Sequence, residues 1–297
     1  MNPTRLLLTL LAALSLLPIA ARASKAVYQP LTVVVAQAES IVIARATRVP
    51  GRPSLERQPA ELTITQVMKG KLPAGPLTVW LDEAYWHNAE PLKVDQQYIV
   101  FLRPAAANSG EEQLMLSGTR LHTGKDEKQI ETLLALTPPW SEPQDGLSTT
   151  IVPDKYHLAP GEELNLFIGC RNVSDHKITL KYSDWPLATH TFWELTIVPQ
   201  GGAAVVAEKH PTLTPESIND YFSKFPRTYD VPLEPNQEFF YTIQRVNSAK
   251  QGWGYKEELD FKFYPVTAAG AYDITARCKN LRSGTDVVAK GLKIWIE

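Results

Sequence analysis

Apolar and polar positions alternate with period two along most of this chain, and the alternation comes in short runs separated by turn residues. Leu62 and Ile64 against Thr63 and Thr65, then Leu77, Val79 and Leu81, set the pattern of half-buried strands. It predicts five strands in the first half: 40–49, 60–68, 77–81, 97–103 and 113–118. A helical stretch, "DEKQIETLLAL", closes this part; Asp126 is the expected N-cap, Gln129 lies three residues on, and Ile130, Leu133 and Leu134 share one face. "PLTVVVAQAES" before the first strand is ambiguous. Leu31, Val34, Val35 and Ala38 have helical spacing, the run of valines favours a strand, and the reading leans to a helix.

The second half is also strand-rich, with runs such as "LSTTIV", "ELNLFIGCRN", "KITLKYS", "FWELTIV", "EFFYTIQRV", "LDFKFYPV", "AYDITARC" and "GLKIWIE". Strands at this spacing predict a β-sandwich. "TPESINDYFSKF" interrupts them with a short helical pattern: Thr214 as cap, Pro215 next, and Ile218, Tyr221, Phe222 and Phe225 on one face. The proline-rich "LTPPWSEPQDG" reads as the linker between the halves. The expected organisation is residues 1–23 as a signal peptide, 24–136 as a barrel, 137–146 as linker and 147–297 as sandwich.

"AESIVIARATRV", a second strand ending in "VMKGKL", and a later "VDQQYIVFL" resemble, in that order, the netrin-like OB module of tissue inhibitors of metalloproteinases and of bacterial secreted proteins. The resemblance covers residues 36 to 136 and implies a five-stranded OB-type barrel with a terminal helix, in which Lys69 and Gly70 end a strand where the chain must turn sharply. Inhibitors of that family chelate zinc through an N-terminal cysteine; this half has no cysteine, so the inhibitory chemistry is not implied. "LAPGEELNLFIGCRNVSD" followed by "AAGAYDITARC" is similar to immunoglobulin-like sandwiches of bacterial envelope proteins, some of them proteinase-inhibitor domains. That likeness concerns fold and warrants no activity.

Composition then places the protein. Arg5, an apolar run from Leu6 to Ala20 broken by Pro18, and Ala21-Arg22-Ala23 have the form of a secretory leader, with Ser24 as the expected mature terminus in the periplasm or outside the cell. The formal net charge is −2; without the leader, 28 basic and 32 acidic residues leave −4. That balance offers no electrostatic footprint for nucleic acid. Cys170 continues the row Leu164, Leu166, Ile168, and Cys278 continues Tyr272, Ile274, Ala276. Two such rows in opposite sheets would bring the sulfurs together; the pair is expected as a disulfide in an oxidising compartment, the alternative being two buried thiols.

The sequence shows no hydrolase elbow, phosphate loop or dinucleotide fingerprint, and the six histidines are scattered singly, so neither a cofactor nor a metal is expected and the protein is read as noncatalytic. Candidate binding residues are aromatic. Tyr85, Trp86 and His87 lie between the third and fourth strands, where Trp86 either meets a partner or folds back over the barrel end; Trp253 and Tyr255 lie in a glycine-flanked loop, whereas Trp193 and Phe263 sit in strand patterns as core. The leading expectation is an envelope protein that binds another protein. Glycan binding through the Trp86 or Trp253 loops and a hydrolase with a dispersed site are the alternatives. Asn172-Val173-Ser174 forms a glycosylation sequon, discounted because the leader and domain pairing look bacterial.

Overall fold

A computed structural model describes residues 29–51, 57–81, 91–104, 112–183, 193–209, 228–247, 262–282 and 285–297. The chain is mostly β. The first half contains α1 (Leu31–Gln37), β1 (Ser40–Arg48), β2 (Gln58–Lys69), β3 (Gly75–Leu81), β4 (Gln97–Pro104), β5 (Glu112–Leu121) and α2 (Gly124–Leu136). The five strands close into a barrel in the order β1-β2-β3-β5-β4, with β1 paired antiparallel to both β2 and β4. The alternating residues of the sequence pattern, among them Leu62, Ile64, Val79 and Leu81, fill its interior.

The terminal helix forms where its pattern lies, but its cap differs from the expected one. Thr123, not Asp126, is the N-cap: its Oγ1 accepts a hydrogen bond from Asp126 N at 3.1 Å, and Asp126 takes a first-turn position. A threonine three residues ahead of an acid satisfies the end of the helix as well as Asp126 would, and one turn earlier.

α1 is helical, and its surroundings explain the ambiguous pattern. Val34 and Val35 pack with Ile41, Ile43 and Phe101 on the outside of the barrel, together with Ile130 of α2. Val33 and Ala36 pack with Val152, Phe167 and Phe240 of the second half. A helix covered on opposite sides needs apolar residues all round and so shows no single stripe.

The second half comprises β6 (Leu147–Pro153), β7 (His157–Leu158), β8 (Leu164–Asn172), β9 (Ile178–Ser183), β10 (Trp193–Pro199), β11 (Glu208–Lys209), β12 (Thr228–Leu233), β13 (Glu238–Val246), β14 (Lys262–Phe263), β15 (Gly270–Arg282) and β16 (Thr285–Ile296). They form sheets β10-β15-β16-β7 and β13-β8-β6 and the pairs β12-β9 and β11-β14. The two larger sheets contribute to one core, in which Trp193 is fully buried as its strand pattern requires. Phe263 lies in β14. The predicted helix at 214–225 falls outside the described residues.

Both cysteine rows point into that core. Cys170 on β8 and Cys278 on β15 are fully buried in different sheets. No disulfide links them in this structure. Burial, and secondarily the neighbouring Cys278, push the Cys170 thiol far up.

The segment between the halves is packed. Trp140 meets Phe240 edge-on at 6.1 Å, and the Arg171 guanidinium lies 4.2 Å from the Trp140 ring centroid. Gly169 makes room for this: a Cβ there would lie 2.6 Å from Phe240 Cζ and 2.9 Å from Trp140 Cη2. Arg171 Nε donates to Glu238 Oε1 at 2.7 Å across the β8–β13 ladder.

The Lys69-Gly70 turn also acquires a structural account. Gly70 has φ +91°, and a Cβ would lie 2.5 Å from Ser40 Oγ and 2.9 Å from Glu39 O, so the chain leaves β2 pressed against the start of β1. Lys69 Nζ donates to Val35 O at 2.9 Å and to Ala36 O at 3.4 Å, capping the carbonyl end of α1 with an ammonium group. Burial, then the Arg171 charge, lower the Lys69 amine from 10.5 to about 8, against smaller opposing effects of Glu238 and Glu39.

The sign of the consequence is fixed. Between about pH 8 and 10.5 the unfolded chain holds this proton and the folded chain does not, so the site's contribution to stability rises with pH there and is lost as pH falls back to about 8. Denaturation of wild type and Lys69→Met across this window should give a stability difference, wild type minus variant, that climbs with pH; a flat difference would mean that Lys69 is not held in this way.

Candidate functional site

Where the barrel's helices meet the second half, a cleft of about 640 Å³ opens. Its size lies within the range of small-molecule sites. The floor is the outward face of the β13-β8-β6 sheet, where Asn165, Phe167 and Thr242 alternate with the core-facing Leu164, Leu166 and Ile243. Phe167 stands directly opposite Thr242 in the ladder. One wall comes from the first half: Thr32 of α1, Arg120 near the end of β5 and Leu133 of α2. The turn after β6 supplies the lip, with Asp154, Lys155 and Tyr156.

The lip is held rigidly. Asp154 N donates to Asn165 O at 2.9 Å, while the Asp154 carboxylate accepts from Asn165 N at 3.2 Å and from Asn165 Nδ2 at 2.7 Å. Lys155 pairs with Glu162, and that hydrogen bond holds the Glu162 carboxyl below its usual range. The Tyr156 hydroxyl donates to Thr137 Oγ1 at 3.4 Å, and burial raises its pKa above the usual phenol value.

Two groups on the wall stand apart. Thr32 is 4% exposed, and its Oγ1 has no hydrogen-bond partner among the described residues. Among those residues the Arg120 guanidinium also has no carboxylate partner, although the lip carries one. A buried hydroxyl without a partner costs stability, and an arginine without a counter-ion has up to five donors to offer.

Tyr85, Trp86, His87, Trp253 and Tyr255 lie outside the described residues. The described histidines are accounted for locally: His122 Nε2 lies 3.0 Å from Glu127 Oε2, His176 Nδ1 lies 3.0 Å from Asp175 Oδ1, and His157 stacks on Trp295 at 5.2 Å. No cluster of metal-ligating side chains occurs among the described residues. Asn172 of the sequon is fully buried, and its Nδ2 donates to His176 O and Leu233 O, so it is closed to a glycan. No helix among the described residues is long and apolar enough to cross a membrane.

The cleft residues were missed by sequence reasoning because they come from five separate elements and the turn after β6. One local signal existed: Thr32 is the single hydroxyl in the apolar run "LTVVVA".

No family model and no curated protein matches the chain. Parts of it align with solved structures of glycosidases. A β-glucosidase of Erythrobacter marinus is 9% identical at TM-score 0.26, over 51% of this chain and 15% of that one. A Bacteroides uniformis β-glucuronidase is 13% identical at TM-score 0.22, over 50% and 12%. A Listeria innocua β-glucosidase in complex with gluconolactone is 10% identical at 0.22, over 64% and 21%. The chain thus spans between 12% and 21% of these enzymes' length, and likenesses at such scores transfer neither their fold nor their activity.

Proposed function

We propose that this chain is a noncatalytic, secreted or periplasmic protein that binds another protein, built from a netrin-like OB-type barrel and an immunoglobulin-like sandwich. The strand order β1-β2-β3-β5-β4, the helix after β5 and the Lys69-Gly70 turn support the first module. The two larger sheets around one core support the second. The observation that carries the function is the cleft between the modules, with Arg120 in its lining and no ion-pair partner for that arginine among the described residues.

The test is a pulldown from periplasmic extract with residues 24–297, beside Thr242→Trp, which fills the cleft from an exposed strand position. Wild type is expected to retain a protein that the variant does not. Equal retention by both, or none by either, overturns the reading. Export would also oxidise Cys170 and Cys278 to a disulfide, and an intact mass two hydrogens below the dithiol form would register it; a dithiol mass from periplasmic material would exclude it.

A further inference from the structure

We infer that Cys170 and Cys278 form a redox lock that is set only while the chain is unfolded or folding, and that the finished core shuts out oxidant and reductant alike. The inference rests on the disulfide expected on export and adds when that bond forms; it is independent of what the cleft binds. Cys170 ends the inward row of β8, Cys278 lies on β15 in the other large sheet, and both are fully buried in one core. Aromatic residues flank them. Trp193 stands directly opposite Cys278 in the β10–β15 ladder, Phe239 stands opposite Cys170 in the β8–β13 ladder, and the Tyr241 ring lies 5.8 Å from Trp193 and 5.0 Å from Phe239. The cleft gives no way in, since it touches β8 through Asn165 and Phe167, on the face opposite to Cys170.

Joining the cysteines takes a disulfide-bearing oxidant. The thiolate of one cysteine attacks a sulfur of the oxidant, which releases one thiolate and leaves a mixed disulfide; the thiolate of the other cysteine then attacks the protein sulfur of that bond and releases the second. Two cysteine thiols and one oxidant disulfide thus become the protein disulfide and two small thiols, which carry away the two protons. Each step needs a thiolate in contact with a second molecule or with a bulky adduct. A close-packed core admits neither. In the folded chain both thiols are out of reach of oxidant, and burial holds the Cys170 thiol in its protonated form. Reduction of a finished bond meets the same obstacle. The redox state therefore records the compartment in which the chain folded, and once formed the bond ties β8, whose other face floors the cleft, to β15 of the other large sheet.

The experiment uses residues 24–297 prepared in the folded dithiol form, excess oxidised glutathione, and intact mass after an acid quench. Oxidation in native buffer is expected to be at least about a thousandfold slower than in denaturing urea, and across a urea series its rate should rise in step with the unfolded fraction followed by circular dichroism. Refolding from urea with oxidised glutathione present should give a mass two hydrogens below the dithiol form. That product should melt roughly 10 °C higher than the dithiol form and resist dithiothreitol until urea is added. Cys278→Ala, which leaves Cys170 alone, should take up one glutathione in urea and none while folded; this separates exclusion of the oxidant from the geometry of the pair. Native oxidation within about tenfold of the unfolded rate, or at a rate that does not follow the unfolded fraction, overturns the lock. Refolding with oxidant that yields only dithiol or glutathione-bearing chains overturns the disulfide and the lock together. Neither result bears on the pulldown, so failure here and failure of the protein-binding reading are distinguished.

Discussion

Gly70→Ala is expected to destabilise the protein by about 4 kcal/mol, combining roughly 1–3 kcal/mol for a side chain at positive φ with a similar amount for overpacking. A methyl group there meets Ser40 Oγ at 2.5 Å and Glu39 O at 2.9 Å. The hydroxyl can rotate away, but the carbonyl belongs to the chain entering β1 and cannot move without shifting the ladder that pairs Ile41 with Lys69. Equilibrium urea denaturation measures the loss. Adding Ser40→Ala should recover a minor part of it, since the contact with Glu39 O remains. A Gly70→Ala protein as stable as wild type would show that the end of β2 does not lie against β1 as described.

Glu238→Ala carries the second large effect, about 3 kcal/mol, because removing one partner of a desolvated ion pair strands the other. Arg171 would keep its place over Trp140 but lose its acceptor, beside the amine of Lys69. Burial raises the Glu238 carboxyl and the Arg171 charge opposes the rise, so the pair is held by its mutual attraction. Charges of both halves meet here: Lys69 and Arg103 of the barrel face the Arg171–Glu238 pair of the sheet behind it. The loss should therefore fall on the junction, and thermal melting followed by near-ultraviolet circular dichroism should broaden or split into two transitions. Arg171→Met with Glu238→Leu, which removes both charges, should be much closer to wild type. A double variant as damaged as Glu238→Ala would place the cost in packing instead of charge.

Much of the fold was legible from residues because each strand's pattern is local. The rows ending in Cys170 and Cys278 point inward as alternation requires, and the run from Gly75 to Leu81 pairs along β2 through the residues that alternate. Three kinds of information were not local. α1 was ambiguous because it is covered by barrel and sheet together. The short strands β7, β11 and β12 went unnoticed: two span two residues each, and β12 contains Pro232 and takes its pairing from β9. Lys69 was read as part of a turn, whereas its amine reaches back to carbonyls 34 and 33 residues earlier in the chain.

The site was the least legible part. Thr32, Arg120, Asp154, Asn165 and Thr242 share no spacing and no motif; they meet because α1 and α2 lie between the barrel and the β13-β8-β6 sheet. Sequence reasoning looked for exposed aromatics in loops, while the cleft wall carries a charge and a hydroxyl without partners among the described residues. An unsatisfied group becomes visible only after its neighbours have been placed.

The most direct test of the central claim is amide hydrogen exchange of residues 24–297, alone and with the partner retained in the pulldown. Binding in the cleft predicts slowed exchange in three separated stretches: the start of α1, the end of β5, and the turn from Asp154 to Tyr156 with the adjoining part of β8. Protection confined to the barrel's far loops or to the β10-β15-β16-β7 sheet, with these three stretches unchanged, would contradict it.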